Sequence, residues 1–526
     1  MVQARYGIEV SLGWAHTTMP AMAASLAWLL LALLLASLYT ATHRIAAARR
    51  RLPPGPTPLP LVGNLLSVSR TSPHRSLARL AARYGPLMRV RLGVVDYVVV
   101  SSPAVADDIY HSRHNAHLSS RPPYDAWWGE KHRLNSVIAL PPHAVWRAQR
   151  RLAMEEVMSP GRLDALAPLR REKVRELLVR VRRVAAARGD GDGELVPVEV
   201  GQAAFEGFLS ILSSTMVSVD LADSDLRDVV REAAILAATP NVSDIFPAIA
   251  AADLQGYRRR MGELVARGYG IFEELLARRK GGREAGERRK DDLLDVVLDR
   301  EDELKKESNP VLDRNAIKGL ITDLMVAGTD TSSSTIEWAM AELLQNSESM
   351  QKVKDELRRV IGTRTQIEES DISHLPYLQA IIKETLRLHS NVPMSYYMAE
   401  ATVEVQGYTI PKGTNIIVNI WAIHHQPNVW VDPDKFMPER FIGKDTNFFG
   451  KHPELIPFGG GRRICLGLPL AYRMVHVVLA SLLFHFDWKL PEGAKKDGID
   501  MSEKFGLVLS MATPLKALAT RSCNDM

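Results

Sequence analysis

Apolar positions along this chain recur mainly with helical spacing, broken by a few short stretches where they alternate or run together. The longest apolar run is the first. Residues 24–39 (ASLAWLLLALLLASLY) carry no charge, and with the flanks from Met19 to Thr42 the run reaches the roughly 20 residues that cross a bilayer as a helix. Trp28 and Tyr39 stand near its ends, where interfacial anchors belong. Arg44, Arg49, Arg50 and Arg51 follow it, whereas Arg5 is the only Lys or Arg before it, so everything after residue 43 is expected on the cytosolic side. A cleaved secretory signal is the rival reading. It fits less well, because the run is long for one and the basic cluster follows rather than precedes it. We therefore read 19–43 as a transmembrane signal anchor and 1–18 as a semi-polar extension without a derivable role. Residues 44–59 form a basic and proline-rich hinge, stiffened by Pro53, Pro54, Pro56 and Pro58.

Within the body, residues 60–526, the stretch 87–100 alternates and then runs apolar, as a β-hairpin does. A further strand pair is expected over 401–418, with turns at Gly407 and at Pro411-Lys-Gly413. The longest helix is predicted from an N-cap at Asp313 to about Asn346, on the order of 50 Å. The charged, glycine-containing stretch 277–292 reads as a solvated surface loop. Asn241-Val-Ser243 has the form of a glycosylation sequon, silent on the cytosolic side. The class is mainly α with small β-sheets.

Composition changes this picture little. Of 526 residues, 46% are hydrophobic and 24% charged, ordinary for a large core, and the net charge of +5 is mild. No basic run is interleaved with aromatics, so nucleic acid is not an expected partner.

Candidate chemistry concentrates in Pro457-Phe-Gly-Gly-Gly-Arg-Arg-Ile-Cys-Leu-Gly467. The chain has two cysteines, Cys465 here and Cys523 near the C-terminus, which argues against a disulfide role for Cys465. Glycines on both sides let the backbone press flat against a neighbour. A thiolate there is a soft axial donor for haem iron, and a plain buried cysteine is the alternative. A second unusual stretch, Ala327-Gly-Thr-Asp-Thr-Ser332, lies inside the long predicted helix, where Gly and consecutive Thr each cost roughly 0.5–1 kcal/mol of propensity. A Thr hydroxyl bonding back one turn would make this a merely structural feature. Glu384 and Arg387 stand at i, i+3 on one helical face.

Phe458, Gly461, Arg463, Cys465 and Gly467 together fill FxxGxRxCxG, and the chain thereby resembles the cytochrome P-450 haem-thiolate enzymes. The resemblance runs over residues 19–526. It implies the cytochrome P-450 fold behind one N-terminal transmembrane helix, with Cys465 as the ligand to the iron of haem b. Asp330 and Thr331 match its oxygen-activating pair, with Gly328 admitting oxygen beside the helix. Glu384, Arg387 and Arg440 match its buried charge network. Trp146 and Arg150 match its WxxxR helix, expected with Arg463 to hold haem propionates. The resemblance implies an O2-dependent monooxygenase of the plant endoplasmic reticulum, taking NADPH electrons from a flavoprotein reductase and hydroxylating an apolar small molecule. Arg147, Arg150, Arg151 and Arg462 are the candidate reductase-facing cations. Residues 240–246 and 251–256 are similar to grass hydroxylases of monoterpenoids and diterpenoids. A haem-thiolate isomerase or dehydratase, which typically lacks the acid–alcohol pair, and a non-catalytic haem-binding membrane protein are the alternatives. One departure stands out: after the ExxR helix the family usually reads LHPPxP and then a basic residue, whereas here 389–400 is HSNVPMSYYMAE.

Overall fold

The structure, a computed structural model, describes residues 15–187, 195–304, 312–493 and 498–522. Most of the extension before the anchor, and Cys523, lie outside them. The apolar run is a helix, Ala15–Arg49, and none of its apolar window is buried inside the protein. The helix passes through Ala46-Ala-Ala48, strong helix formers that no proline interrupts, so the extended proline-rich segment begins after Arg51 and not at residue 44. A second helix apolar enough to cross a membrane, Leu468–His485, is largely buried and serves as core.

The long helix spans Arg314–Gln345, as its pattern predicts. Asp313 caps it, its carboxylate accepting from the Ala316 N–H at 2.7 Å, a contact worth about 1 kcal/mol. This central helix is buried on nearly every side over most of its length, so its apolar residues do not form a stripe. Leu320, Ile336, Trp338 and Met340 share one apolar cluster with Phe208 of helix Val200–Val217 and Leu479 of helix Leu468–His485.

Leu87–Leu92 and Val95–Val100 form the predicted hairpin, with Leu92 opposite Val95. Residues 401–418 do not make one strand pair. Val403–Val405 and Tyr408–Ile410 close a small hairpin over Gln406 and Gly407, both at positive φ. Asn415–Asn419 leaves it, pairing in parallel with Val95–Val100 and antiparallel with Met394–Met398. This strand is buried at every position, the environment of a central strand, which its apolar run permits but cannot assign to a partner.

The expected surface loop at 277–292 is corrected. Helix Tyr257–Glu284 extends into it, and Arg279 is buried in a bidentate pair with Asp292, at 2.7 Å for both bonds, and with Asp295 at 3.1 Å. Burying a guanidinium is tolerable because these carboxylates neutralise it. Asn241 is 7% exposed and its side-chain oxygen accepts from the Ser243 N–H, so it acts as a helix cap.

Candidate active site

The glycine-rich loop is shaped by close approach. Gly459 and Gly461 lie at φ +69° and +58°, and a Cβ on Gly460 would come within 2.6 Å of the Tyr110 ring. The loop then closes with the Cys465 N–H donating to the Phe458 carbonyl oxygen at 3.0 Å. Phe458 packs against Phe448, ring centroids 5.1 Å apart. Cys465 lies deep in the protein yet its side chain is exposed, because it faces a cavity of about 210 Å³. Burial pushes its thiol pKa up, while the N–H groups of Gly467 and Leu468 and the charge of Arg150 act in the opposite sense, favouring the thiolate.

Across the cavity stands the central helix, with Ala327, Gly328, Thr331 and Ser332 lining it. The Thr331 hydroxyl donates to the Ala327 carbonyl oxygen at 2.8 Å, the one-turn back-bond weighed from sequence. The space beside Gly328 is taken by Leu212, whose Cδ1 would sit 2.8 Å from an added Cβ, so room there depends on a flexible side chain. Asp330 does not line the cavity. Burial raises its carboxyl pKa, with Arg231 as the opposing charge.

Three arginines and one carboxylate, that of Asp323, stand in the otherwise largely apolar wall of the cavity. Arg463, Arg150 and Arg121 all line it, and their hydrogen bonds go to carbonyl oxygens: Arg463 to Ser119, Val137 and Leu140, Arg150 to Ile464, and Arg121 to Tyr396. Trp146 gives its indole N–H to the Val137 carbonyl oxygen and its ring to two guanidiniums, Arg463 at 4.6 Å and Arg150 at 5.2 Å. Burial, then the charge of Arg121, pull the Arg463 pKa down to about 9. Arg121 Nε is buried with no partner among the described residues. A half-buried set of like charges with an orphaned donor fits a dianionic group, and a lone cysteine beneath fits its metal; haem b, with two carboxylates around one iron, meets both demands.

Arg121 is the residue that sequence reading missed. It stands before a Pro-Pro pair in an aperiodic loop, and an antiparallel bridge from Ser120 to Met398 brings it to the strand where the usual basic residue is absent. Its guanidinium lies over Tyr397 at 4.9 Å.

Below this region Glu384 and Arg387 are fully buried. Arg440 joins Glu384 at 3.0 Å, and Arg387 also donates to the carbonyl oxygens of His424 at 2.8 Å and Pro433 at 2.7 Å. The network ties the helix Pro376–Leu388 to the segment leading into the cysteine loop.

Comparison with known proteins agrees with this geometry. The family model described as Cytochrome P450 matches residues 53–517. Cytochrome P450 76T24 of Catharanthus roseus is 41% identical over 497 residues, 92% of this chain and 97% of that protein. Geraniol 8-hydroxylase of Swertia mussotii is 43% identical over 495 residues, 92% and 96% of the two chains. Geranylhydroquinone 3''-hydroxylase of Arnebia euchroma is 42% identical over 477 residues, 89% and 93%. Joined to a cysteine facing a cavity rimmed by three arginines, these matches place the chain in the cytochrome P450 family, as a plant haem-dependent monooxygenase that uses O2 and electrons originating in NADPH.

Proposed function

We propose that the protein is anchored in the endoplasmic reticulum membrane by its first helix, with the body on the cytosolic face, and hydroxylates a terpenoid. The observation that carries the site assignment is that Cys465 and Thr331 line one cavity whose edge holds Arg121, Arg150 and Arg463. The substrate class rests on the relatives named for geraniol and for geranylhydroquinone, both of which carry a geranyl group.

When bound, haem supplies the iron at which O2 is activated, so that a C–H bond becomes C–OH and the second oxygen leaves as water. Cys465 would be its thiolate donor; burial raises the thiol pKa, and the Gly467 and Leu468 N–H groups and Arg150 act against that in favour of the anion. The three arginines would hold the group by its carboxylates. Phe458, Gly461 and Gly467 shape the loop around the sulfur. Thr331 is the alcohol facing the cavity; to donate there its hydroxyl must turn from the Ala327 oxygen. Asp330, one residue away and holding its proton more readily than a solvated carboxyl, is the acid that resupplies it. Arg147, Arg151 and Arg462 are exposed near the cysteine loop and present positive charge to an acidic flavoprotein reductase.

The test supplies the membrane-bound protein with NADPH–cytochrome reductase and offers geraniol, geranylhydroquinone and labdane-type diterpenes. A hydroxylated product with matching NADPH consumption is expected, and Cys465→Ser should abolish it together with the thiolate-type spectrum of the reduced carbon monoxide complex. Conversion of a substrate without NADPH would overturn the monooxygenase reading in favour of an isomerase.

A further inference from the structure

Leu388, His389 and Pro393 keep the usual LHPPxP, and Ser390 and Asn391 stand where its two prolines would, making contacts that prolines do not. His389 stacks on Trp338, centroids 3.9 Å apart, and bonds Glu342 at 2.7 Å. Ser390 bonds His424 at 2.7 Å. Asn391 reaches the turn that carries Thr331. Its Nδ2 donates to the Thr331 carbonyl oxygen at 2.8 Å and to Thr335 Oγ1 at 2.6 Å. Thr335 has already given its hydroxyl hydrogen to that same Thr331 oxygen, at 2.8 Å, so toward Asn391 it can only accept. Both neighbours therefore demand donors, and the amide NH2 supplies two from a side chain 8% exposed. A proline or an aliphatic side chain at 391 supplies none.

The rest of the junction fixes Asn391 in turn. The Leu509 N–H donates to the backbone carbonyl oxygen of Asn391 at 2.7 Å, and the Trp338 indole donates to the backbone carbonyl oxygen of Leu509 at 2.9 Å. Three segments distant in sequence meet one turn past Thr331. The central helix needs such support here, because Thr329, Thr331, Ser333 and Thr335 each turn a hydroxyl back onto its own carbonyls, which loosens the backbone ladder.

We propose that Asn391 is a positioning residue for oxygen activation. By holding the Thr331 carbonyl and the Thr335 hydroxyl, it fixes the C-terminal side of the turn, so that the Thr331 hydroxyl moves between the Ala327 oxygen and the cavity on a backbone that does not move with it. This rests on the role given to Thr331 above. When that positioning fails, electrons from NADPH leave with oxygen as hydrogen peroxide (O2 + NADPH + H⁺ → H2O2 + NADP⁺) in place of hydroxylated product.

The test compares wild type, Thr331→Ala, Asn391→Leu and Thr335→Val in the full-length, haem-loaded protein with reductase. Three quantities are read: the ratio of product to NADPH oxidised, the carbon monoxide stretching frequency of the reduced complex, and amide hydrogen exchange over residues 331–339. Asn391→Leu should lower the ratio by roughly 5- to 100-fold, the worth of two ordinary hydrogen bonds. It should also shift the stretch and speed exchange in that segment while haem content holds. Thr335→Val removes one of the two acceptors and leaves Asn391 Nδ2 on the Thr331 oxygen, so it should lower the ratio less than Asn391→Leu, and the double variant should lose less than the sum of the two singles. If Thr331→Ala leaves the ratio unchanged, the proton-relay reading falls and this one with it. If Thr331→Ala uncouples while Asn391→Leu keeps the wild-type ratio and stretch, the positioning role alone is overturned, even if exchange rises.

Discussion

Arg387 clasps Glu384 with two parallel hydrogen bonds, Nε to Oε2 at 2.7 Å and Nη2 to Oε1 at 2.9 Å, with neither side chain touching solvent. An i, i+3 pair on an exposed helix face would contribute a few tenths of a kcal/mol. Here each ion is desolvated, and its neighbours are arranged around the charge: the Met437 N–H and Arg440 also bond Glu384. Glu384→Gln leaves two guanidiniums facing a neutral amide and should cost about 3–5 kcal/mol. Arg440→Met should cost less, since the bidentate pair persists. Urea midpoints and the haem-loaded fraction of purified protein check the order; an equal effect of both substitutions would contradict it.

Thr331→Ala removes the cavity-facing alcohol without touching Cys465 or the arginines. Haem loading should survive while product per NADPH falls, within the ~10²–10⁴-fold that a positioned proton donor contributes. Ordered water filling the hydroxyl's place would put the loss at the lower end. Asp330→Asn should slow NADPH-dependent oxygen consumption itself if, as proposed, that carboxyl resupplies the proton. Stopped-flow oxygen consumption beside product analysis separates the two effects.

Asp244 carries a pH dependence of stability. Burial, and then the neighbouring carboxylate of Asp125, push its pKa from 3.8 up to about 6, against the relief of accepting the Asp125 N–H at 2.7 Å. For an acid raised in the folded state, the folded form binds more protons, so the stabilisation is present below about pH 4 and is lost as pH rises through 6. The ceiling on that loss is about 3 kcal/mol. Asp244→Asn keeps an acceptor for the Asp125 N–H and does not titrate. It should therefore be the more stable protein at pH 7.5, with a flatter profile between pH 4.5 and 7.5. Urea midpoints across this range test it, and parallel profiles for the two proteins would refute it.

The helix Ala15–Arg49 lends little to the body, since its apolar window is unburied. Removing residues 1–49 should release much of the protein from membranes while leaving it folded and haem-loaded. Protease added outside sealed microsomes bearing the full chain should digest the body. Protection of residues 60–522 would place it in the lumen instead.

Features set by neighbours within a turn or two were legible in the chain itself. Helical spacing and the Asp313 cap located the central helix, uninterrupted apolarity located the first helix, and the 87–100 alternation located a hairpin. The glycine and cysteine spacing of 457–467 singled out a loop whose backbone needs positive φ at Gly459 and Gly461. Tertiary structure alone decided which strand Asn415–Asn419 joins, that Arg279 is buried on Asp292 and Asp295, and that Arg121 brings charge to a strand lacking its own. It also decided that Asn391 spends its amide on the Thr331 turn. Spacing and capping depend on backbone geometry over a few residues, whereas charge pairing and strand choice depend on which distant segments the packed core brings within about 3 Å of one another.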